Sequence, residues 1–277
     1  MRLGMVINTS QCIGCYDCFL TCQDEFCGNT YEGYSAAAPI EGHNWMRVLD
    51  VERGQFPLVK AHYTPKTCMH CEDAPCIGAA QNGAVYRRPD GIVVIDPVKA
   101  RGQKQLVNSC PYRVIEWNET EQLAQKCNLC AHLLDKGEKE PRCVESCPTG
   151  AILFGDLDDA KSKVAQLVKS GVTETLKPEL ALKESVFYIG LPKRFIAGTV
   201  VLKDKRECAT QAQVEISNEK GSKKAATNDF GDFEFEGLEA NQSFTVKISV
   251  PGYKAETLSC TTFNDTHLGD IYLSPQA

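Results

Sequence analysis

The chain has 277 residues, 15 cysteines and a formal charge of -6, enough length for one large domain or two ordinary ones. The acidic balance leaves no basic footprint, which excludes nucleic acid and anionic membrane surfaces as expected partners. There is no apolar run of about 18 residues, so no membrane insertion is expected; the stretch from Met1 to Ile7 is too short for a signal-peptide core and the expected location is cytoplasmic, co-export with a partner aside.

The first signal in the chain is Cys12-Ile13-Gly14-Cys15-Tyr16-Asp17-Cys18-Phe19-Leu20-Thr21-Cys22. Cysteines spaced by two, two and three residues let one loop hold three corners of a cuboidal 4Fe-4S cluster while the fourth points to a neighbouring cluster. A short strand is expected at Trp45–Val51. The second segment holds Cys68, Cys71 and Cys76, and the Pro89-Asp90-Gly91 turn sets up a strand at Gly91–Ile95. The third has only Cys110, before Pro111 and Tyr112; the fourth holds Cys127, Cys130, Cys143 and Cys147, before Pro148. A disulfide framework belongs to small secreted chains. The Cys68/Cys71 and Cys127/Cys130 pairs have zinc-ligand spacing, but zinc does not account for the four-cysteine run or for cysteines followed by proline. His43, His62, His70 and His132 read as polar rim or donor groups, and Asp158–Gly171 as a helix with acidic residues at its start and a glycine stop.

Pro178 and Pro192 then bracket a connecting stretch, after which the pattern alternates: Gly198–Leu202, Gln213–Ile216, Phe233–Phe235, Phe244–Val250 and Asp270–Leu273 read as strands. Their spacing and their Asn, Asp and Gly turns predict an antiparallel β-sandwich of about seven strands. The expected organisation is α+β: a ferredoxin-like domain over 1–177, a linker over 178–194 and the sandwich over 195–277.

The cysteine segments superpose as an internal duplication. Ile7 to Cys15 keeps register with Ile95 to Gln103, which places Leu106 opposite Cys18 and Cys110 opposite Cys22; Cys143 to Ile152 lies over Cys76 to Val85, with Ala80 opposite Cys147. Of sixteen implied ligand positions, Ala80, Ala100, Gln103 and Leu106 lack sulfur. If each site takes three ligands from one segment and the fourth from its partner, pairing first with fourth and second with third puts all four vacancies on one site. The other pairings strand a lone cysteine. Three complete sets follow: Cys12, Cys15, Cys18 and Cys147; Cys22, Cys127, Cys130 and Cys143; Cys68, Cys71, Cys76 and Cys110. Cys27, Cys208 and Cys260 remain as free thiols, and ordinary packing is expected to fill the erased locus.

The segments Cys68-Met69-His70-Cys71-Glu72-Asp73-Ala74-Pro75-Cys76, Gln125-Lys126-Cys127-Asn128-Leu129-Cys130 and Cys143–Ile152 resemble the multi-cluster ferredoxin subunits that serve molybdenum or tungsten bis-pterin oxidoreductases. The resemblance covers roughly residues 4 to 160 and departs from the four-site pattern at the erased locus. Thr227–Phe235 is similar to a hairpin of carboxypeptidase-regulatory-like and Cna-B-like domains. Both peculiarities together resemble the small subunits of anaerobic hydroxylases and transhydroxylases of polyhydroxylated aromatics. The resemblance implies three 4Fe-4S clusters here and a large catalytic partner carrying molybdopterin guanine dinucleotide with molybdenum or tungsten. It further implies that the first site lies nearest that partner, and that the erased locus separates the second site from the third and takes the third out of the relay. No Rossmann fingerprint, P-loop or nucleophile–base pair occurs, so a non-catalytic electron-relay subunit is expected. The alternatives are the relay subunit of an arsenate, polysulfide or sulfoxide reductase, and a free-standing ferredoxin.

Overall fold

A computed structural model describes residues 1–276 and resolves two compact units, Met1–Asp50 with Tyr63–Leu191, and Val51–His62 with Pro192 onward. The chain runs β1 (Leu3–Asn8), α1 (Asp17–Phe26), the hairpin β2 (Arg47–Gln55) and β3 (Leu58–Lys66), α2 (Pro75–Ala79), the hairpin β4 (Val85–Arg87) and β5 (Val93–Ile95), α3 (Leu106–Ser109), the hairpin β6 (Glu116–Asn118) and β7 (Leu123–Gln125), α4 (Ala131–Leu134), α5 (Arg142–Glu145), β8 (Ile152–Asp156), α6 (Lys163–Lys169) and β9 (Val186–Ile189).

In the first unit β1 is the middle strand of three, antiparallel to β8 and parallel to β9. Both of its faces are covered, so Met5, Val6 and Ile7 are all buried and the sequence shows no alternation there. Within the stretch 178–194, β9 is therefore part of this sheet. Two pairings have matching positions: Ile7 of β1 faces Ile152 of β8, and Ile95 of β5 faces Val85 of β4. Helix α1 follows Tyr16, whose backbone is left-handed (φ 64°), and its buried residues are Cys18, Cys22 and Phe26. Spacing of four residues stacks them on one helix face. Trp45 and Met46 enter the core ahead of β2 and do not join it. Helix α6 is shorter than the sequence suggests because Asp159 accepts the Lys161 amide at 2.9 Å, a local turn that competes with helix start.

The second unit carries β10 (Arg194–Leu202), β11 (Glu207–Cys208), β12 (Gln213–Asn218), β13 (Gly221–Ala226), β14 (Asp232–Leu238), β15 (Ser243–Ser249), β16 (Glu256–Thr261) and β17 (Thr266–Leu273). They form two four-stranded sheets, one with β10 flanked by β14 and β17 and edged by β11, the other ordered β13-β12-β15-β16. Strict alternation in β15 sends Phe244, Val246 and Ile248 inward to a core shared with Ile196, Val200 and Ile271. The pairing is antiparallel except between β10 and β17, which run parallel with Ile196 facing Thr266, a correction to the all-antiparallel expectation. The chain reaches β17 by crossing from the sheet of β16, and such a crossover is free of the antiparallel constraint of a hairpin. At the Thr227–Phe235 hairpin, Asn228 accepts the amides of Phe230 and Asp232 at 2.9 Å each. Gly231 (φ +77°) is required there, since a Cβ would meet Val200 O at 2.6 Å.

The buried carboxylate of Asp265 holds the Arg53 guanidinium through two bonds of 2.9 and 2.8 Å and accepts the Phe195 amide at 3.1 Å. Arg194 also reaches Asp265 at 3.4 Å, so loss of Arg53 removes two charge-assisted bonds without stranding the carboxylate. Arg53→Ala is expected to destabilise the second unit by about 1.5–3 kcal/mol, read as a lowered calorimetric transition for that unit alone. Among the described residues no helix is long and apolar enough to cross a membrane.

Candidate iron–sulfur sites

The structure gathers twelve thiols into three neighbourhoods. Around Cys18, burial and then the charges of Cys12, Cys147 and Cys15 push the thiol up to about 12. Cys12 is raised by burial and by Cys147 and Cys15. In the second neighbourhood, burial and then Cys22, Cys127 and Cys130 hold Cys143 well above the thiol range, and Cys22 answers to Cys127 and Cys130. In the third, burial and then Cys68, with Cys110 and Cys76 further down, push Cys71 up to about 12. Cys68, Cys71, Cys76 and Cys110 also share the wall of one cavity. Four thiols crowded in a buried place resist ionisation unless a metal centre takes their protons' place.

Local backbone geometry aims donors at these sulfurs. The residue two positions after the first cysteine of a loop is left-handed in three loops: Gly14 (φ 68°), His70 (φ 45°) and Leu129 (φ 53°). Its amide faces the sulfur, at 3.5 Å from His70 N to Cys68 Sγ and 3.3 Å from Leu129 N to Cys127 Sγ, with the Gly14 amide bonding Cys12 likewise. Gly14 has a second constraint, because a Cβ would lie 2.6 Å from the Tyr63 ring. Amide-to-sulfur bonds favour the anionic thiolate and tune a bound cubane. The third cavity also has an orphaned donor. His70 Nδ1 accepts the Val93 amide at 3.1 Å, which places its proton on Nε2. Nε2 is buried without a protein partner, and burial with nearby Lys126 and Arg87 keeps the ring neutral. These donor sets fit 4Fe-4S clusters.

The expected placement of the erased locus is corrected. The second and third sets adjoin directly: Lys126, the chain neighbour of Cys127, donates to Cys127 O at 3.1 Å and lines the cavity of Cys68, Cys71, Cys76 and Cys110. Ala80, Ala100 and Leu106 lie instead with Cys76, Val85 and Ile95 in a separate aliphatic cluster. The physical reason is that α2 joins Cys76 to the erased locus as α1 joins Cys18 to Cys22, so the four loci stand in the order one, two, three, erased. At the erased locus Gln103 donates to Lys99 O at 2.8 Å and Gln81 O at 3.2 Å and accepts the Gln81 amide at 2.9 Å. Gly102 keeps the left-handed turn of its counterpart Gly14 (φ 76°), yet its amide goes to Gln122 O at 2.8 Å.

Of the other histidines, two have protein partners and His62 has a buried Nε2 without one. His43 meets Trp117 O at 3.0 Å, and His132, just past Cys130, bonds Glu25 at 2.9 Å and stacks on Tyr31. His62 lies in the second unit. Cys27, Cys208 and Cys260 stand outside the three neighbourhoods. Sequence reasoning missed Glu25, which gathers Tyr31, His132 and Arg142 beside Cys130, as well as Thr67 and Lys126. Position directly before a Cys-x-x-Cys pair is the one signal that marks the last two.

Residues 59–157 match the 4Fe-4S dicluster domain family. The chain is 42% identical over 255 residues to the pyrogallol hydroxytransferase small subunit of Pelobacter acidigallici, covering 90% of both chains. It is 33% identical over 237 residues to the arsenate respiratory reductase iron-sulfur subunit of Shewanella sp. (strain ANA-3), covering 68% of this chain and 96% of that one. A subunit of the sulfite dehydrogenase of Allochromatium vinosum is 34% identical over 208 residues, covering 70% of this chain and 84% of that one. With its cysteine loops and these relatives, the chain belongs to the iron–sulfur electron-transfer subunits of molybdopterin oxidoreductases.

Proposed function

We propose that this chain carries three 4Fe-4S clusters and serves a molybdenum or tungsten enzyme that hydroxylates or transhydroxylates polyhydroxylated aromatics. The clusters would be held by Cys12, Cys15, Cys18 and Cys147; by Cys22, Cys127, Cys130 and Cys143; and by Cys68, Cys71, Cys76 and Cys110. The observation that carries this reading is the gathering of twelve thiols into those three neighbourhoods. Bound there, a cubane supplies one-electron transfer at a potential set by hydrogen bonds to sulfur, burial and net charge. The chain's own part is to exclude water, to aim the Gly14, His70 and Leu129 amides at sulfur and to hold the loci in a row. Duplication is supported by register, since Ile7 facing Ile152 and Ile95 facing Val85 are equivalent pairs under the superposition. The same pairs join the first segment to the fourth and the second to the third.

The catalytic partner in this reading is a large subunit carrying molybdopterin guanine dinucleotide, and the likeness to the hydroxytransferase small subunit over 90% of both chains favours the aromatic substrate class over arsenate or sulfoxide. A row of sites that ends in the packed Ala100 and Leu106 locus suits an enzyme whose overall reaction consumes no electrons. The second unit is read as a docking surface for the large subunit. Anaerobic co-expression with that subunit tests the assignment. The expected product is a complex with molybdenum or tungsten on the large chain only, transferring hydroxyl groups between polyhydroxybenzenes without an external electron acceptor. A complex that acts only on arsenate or a sulfoxide, with added reductant, would establish the other reading.

A further inference from the structure

Lys126 is only 4% exposed. Its ammonium donates to Val93 O and to Cys127 O at 3.1 Å, and it lines the cavity walled by Cys68, Cys71, Cys76 and Cys110. Among the described residues no carboxylate forms an ion pair with it. A buried cation without an anion costs several kcal/mol, so the fold is complete only if something negative answers it. The groups at hand are sulfurs: Lys126 shares a cavity with Cys68, Cys71, Cys76 and Cys110 of the third set and directly precedes Cys127 of the second.

The cation is not dictated by the loop. Lys66-Thr67-Cys68 corresponds to Gln125-Lys126-Cys127, and in the other half the position of Lys126 is held by the buried, neutral Thr67, whose hydroxyl donates to Trp45 O at 2.9 Å. The equivalent position is filled once without charge and once with it. Resting on the cluster reading above, we infer that Lys126 is the shared counter-ion of the second and third iron–sulfur sites and raises the reduction potentials of both above what the same loops would give without it. Each added electron makes a thiolate-bound cubane more negative, and a fixed cation in low dielectric favours that state. The first site has no contact with Lys126 and is the internal control.

The test uses the complex with its large subunit, Lys126→Met and Lys126→Arg, iron analysis and a redox titration followed by electron paramagnetic resonance. Lys126→Arg is expected to keep all iron and all three potentials. Lys126→Met is expected to weaken reduction of two of the three sites at least tenfold, about 59 mV for a one-electron couple, while the remaining site moves less than twofold. Loss of iron from Lys126→Met that Lys126→Arg prevents also supports the counter-ion. Unchanged potentials in fully loaded Lys126→Met, a uniform shift of all three, or equal iron loss in both variants overturns it. Wild-type protein without iron would refute the cluster reading itself, a separate outcome.

Discussion

Cys143→Ser is expected to strip the second site and, with it, much of the stability of the first unit. Cys143 is buried in the contact of α5 with α1, and of its neighbours Cys22 comes from the first segment while Cys127 and Cys130 come from its own, the fourth. A centre held there ties the two ends of the first unit together, and metal-binding energy of that kind is folding energy. The variant should retain about 8 of ~12 irons or fewer and lose its cooperative unfolding transition. Cys208→Ser, at an exposed thiol of the second unit, should change neither. Full iron in Cys143→Ser would contradict the second set.

Leu106→Ala is expected to do the opposite: cost stability and spare the iron. Leu106 stands opposite Cys18 in the duplication, yet it is fully buried among Val85, Val93, Ile95 and Ala100. Truncating a fully buried leucine costs about 2–5 kcal/mol. Iron content and potentials should stay at their wild-type values, because this locus is held by aliphatic packing and the Gln103 bridge to Gln81 and Lys99. A loss of four irons in Leu106→Ala would place a cluster where the account places a core.

Much of this was legible because cysteine spacing is a covalent-scale constraint. The register that set Ile7 against Ile95 uses only the sequence, and the strand pairs Ile7 with Ile152 and Ile95 with Val85 follow the same nesting. The order of the loci was not legible: it depends on α2 joining Cys76 to Ala80, and on Lys126 reaching from beside Cys127 into the cavity of the third set, a placement made only in three dimensions. Edge strand β13, Gly221-Ser222-Lys223-Lys224-Ala225-Ala226, escaped notice because it is almost entirely exposed and shows no alternation. The parallel seat of β17 was hidden for another reason, since alternation reports which face is buried and says nothing of strand direction.

The most direct measurement is anomalous diffraction at the iron edge from crystals of the anaerobically purified complex. The account predicts three tetra-iron peaks in this chain, in a row, walled by the three cysteine sets, with the third beside Lys126 and His70 and none among Ala80, Ala100, Gln103 and Leu106. A fourth peak at that locus, or Cys22 and Cys147 bound within their own segments, would contradict it.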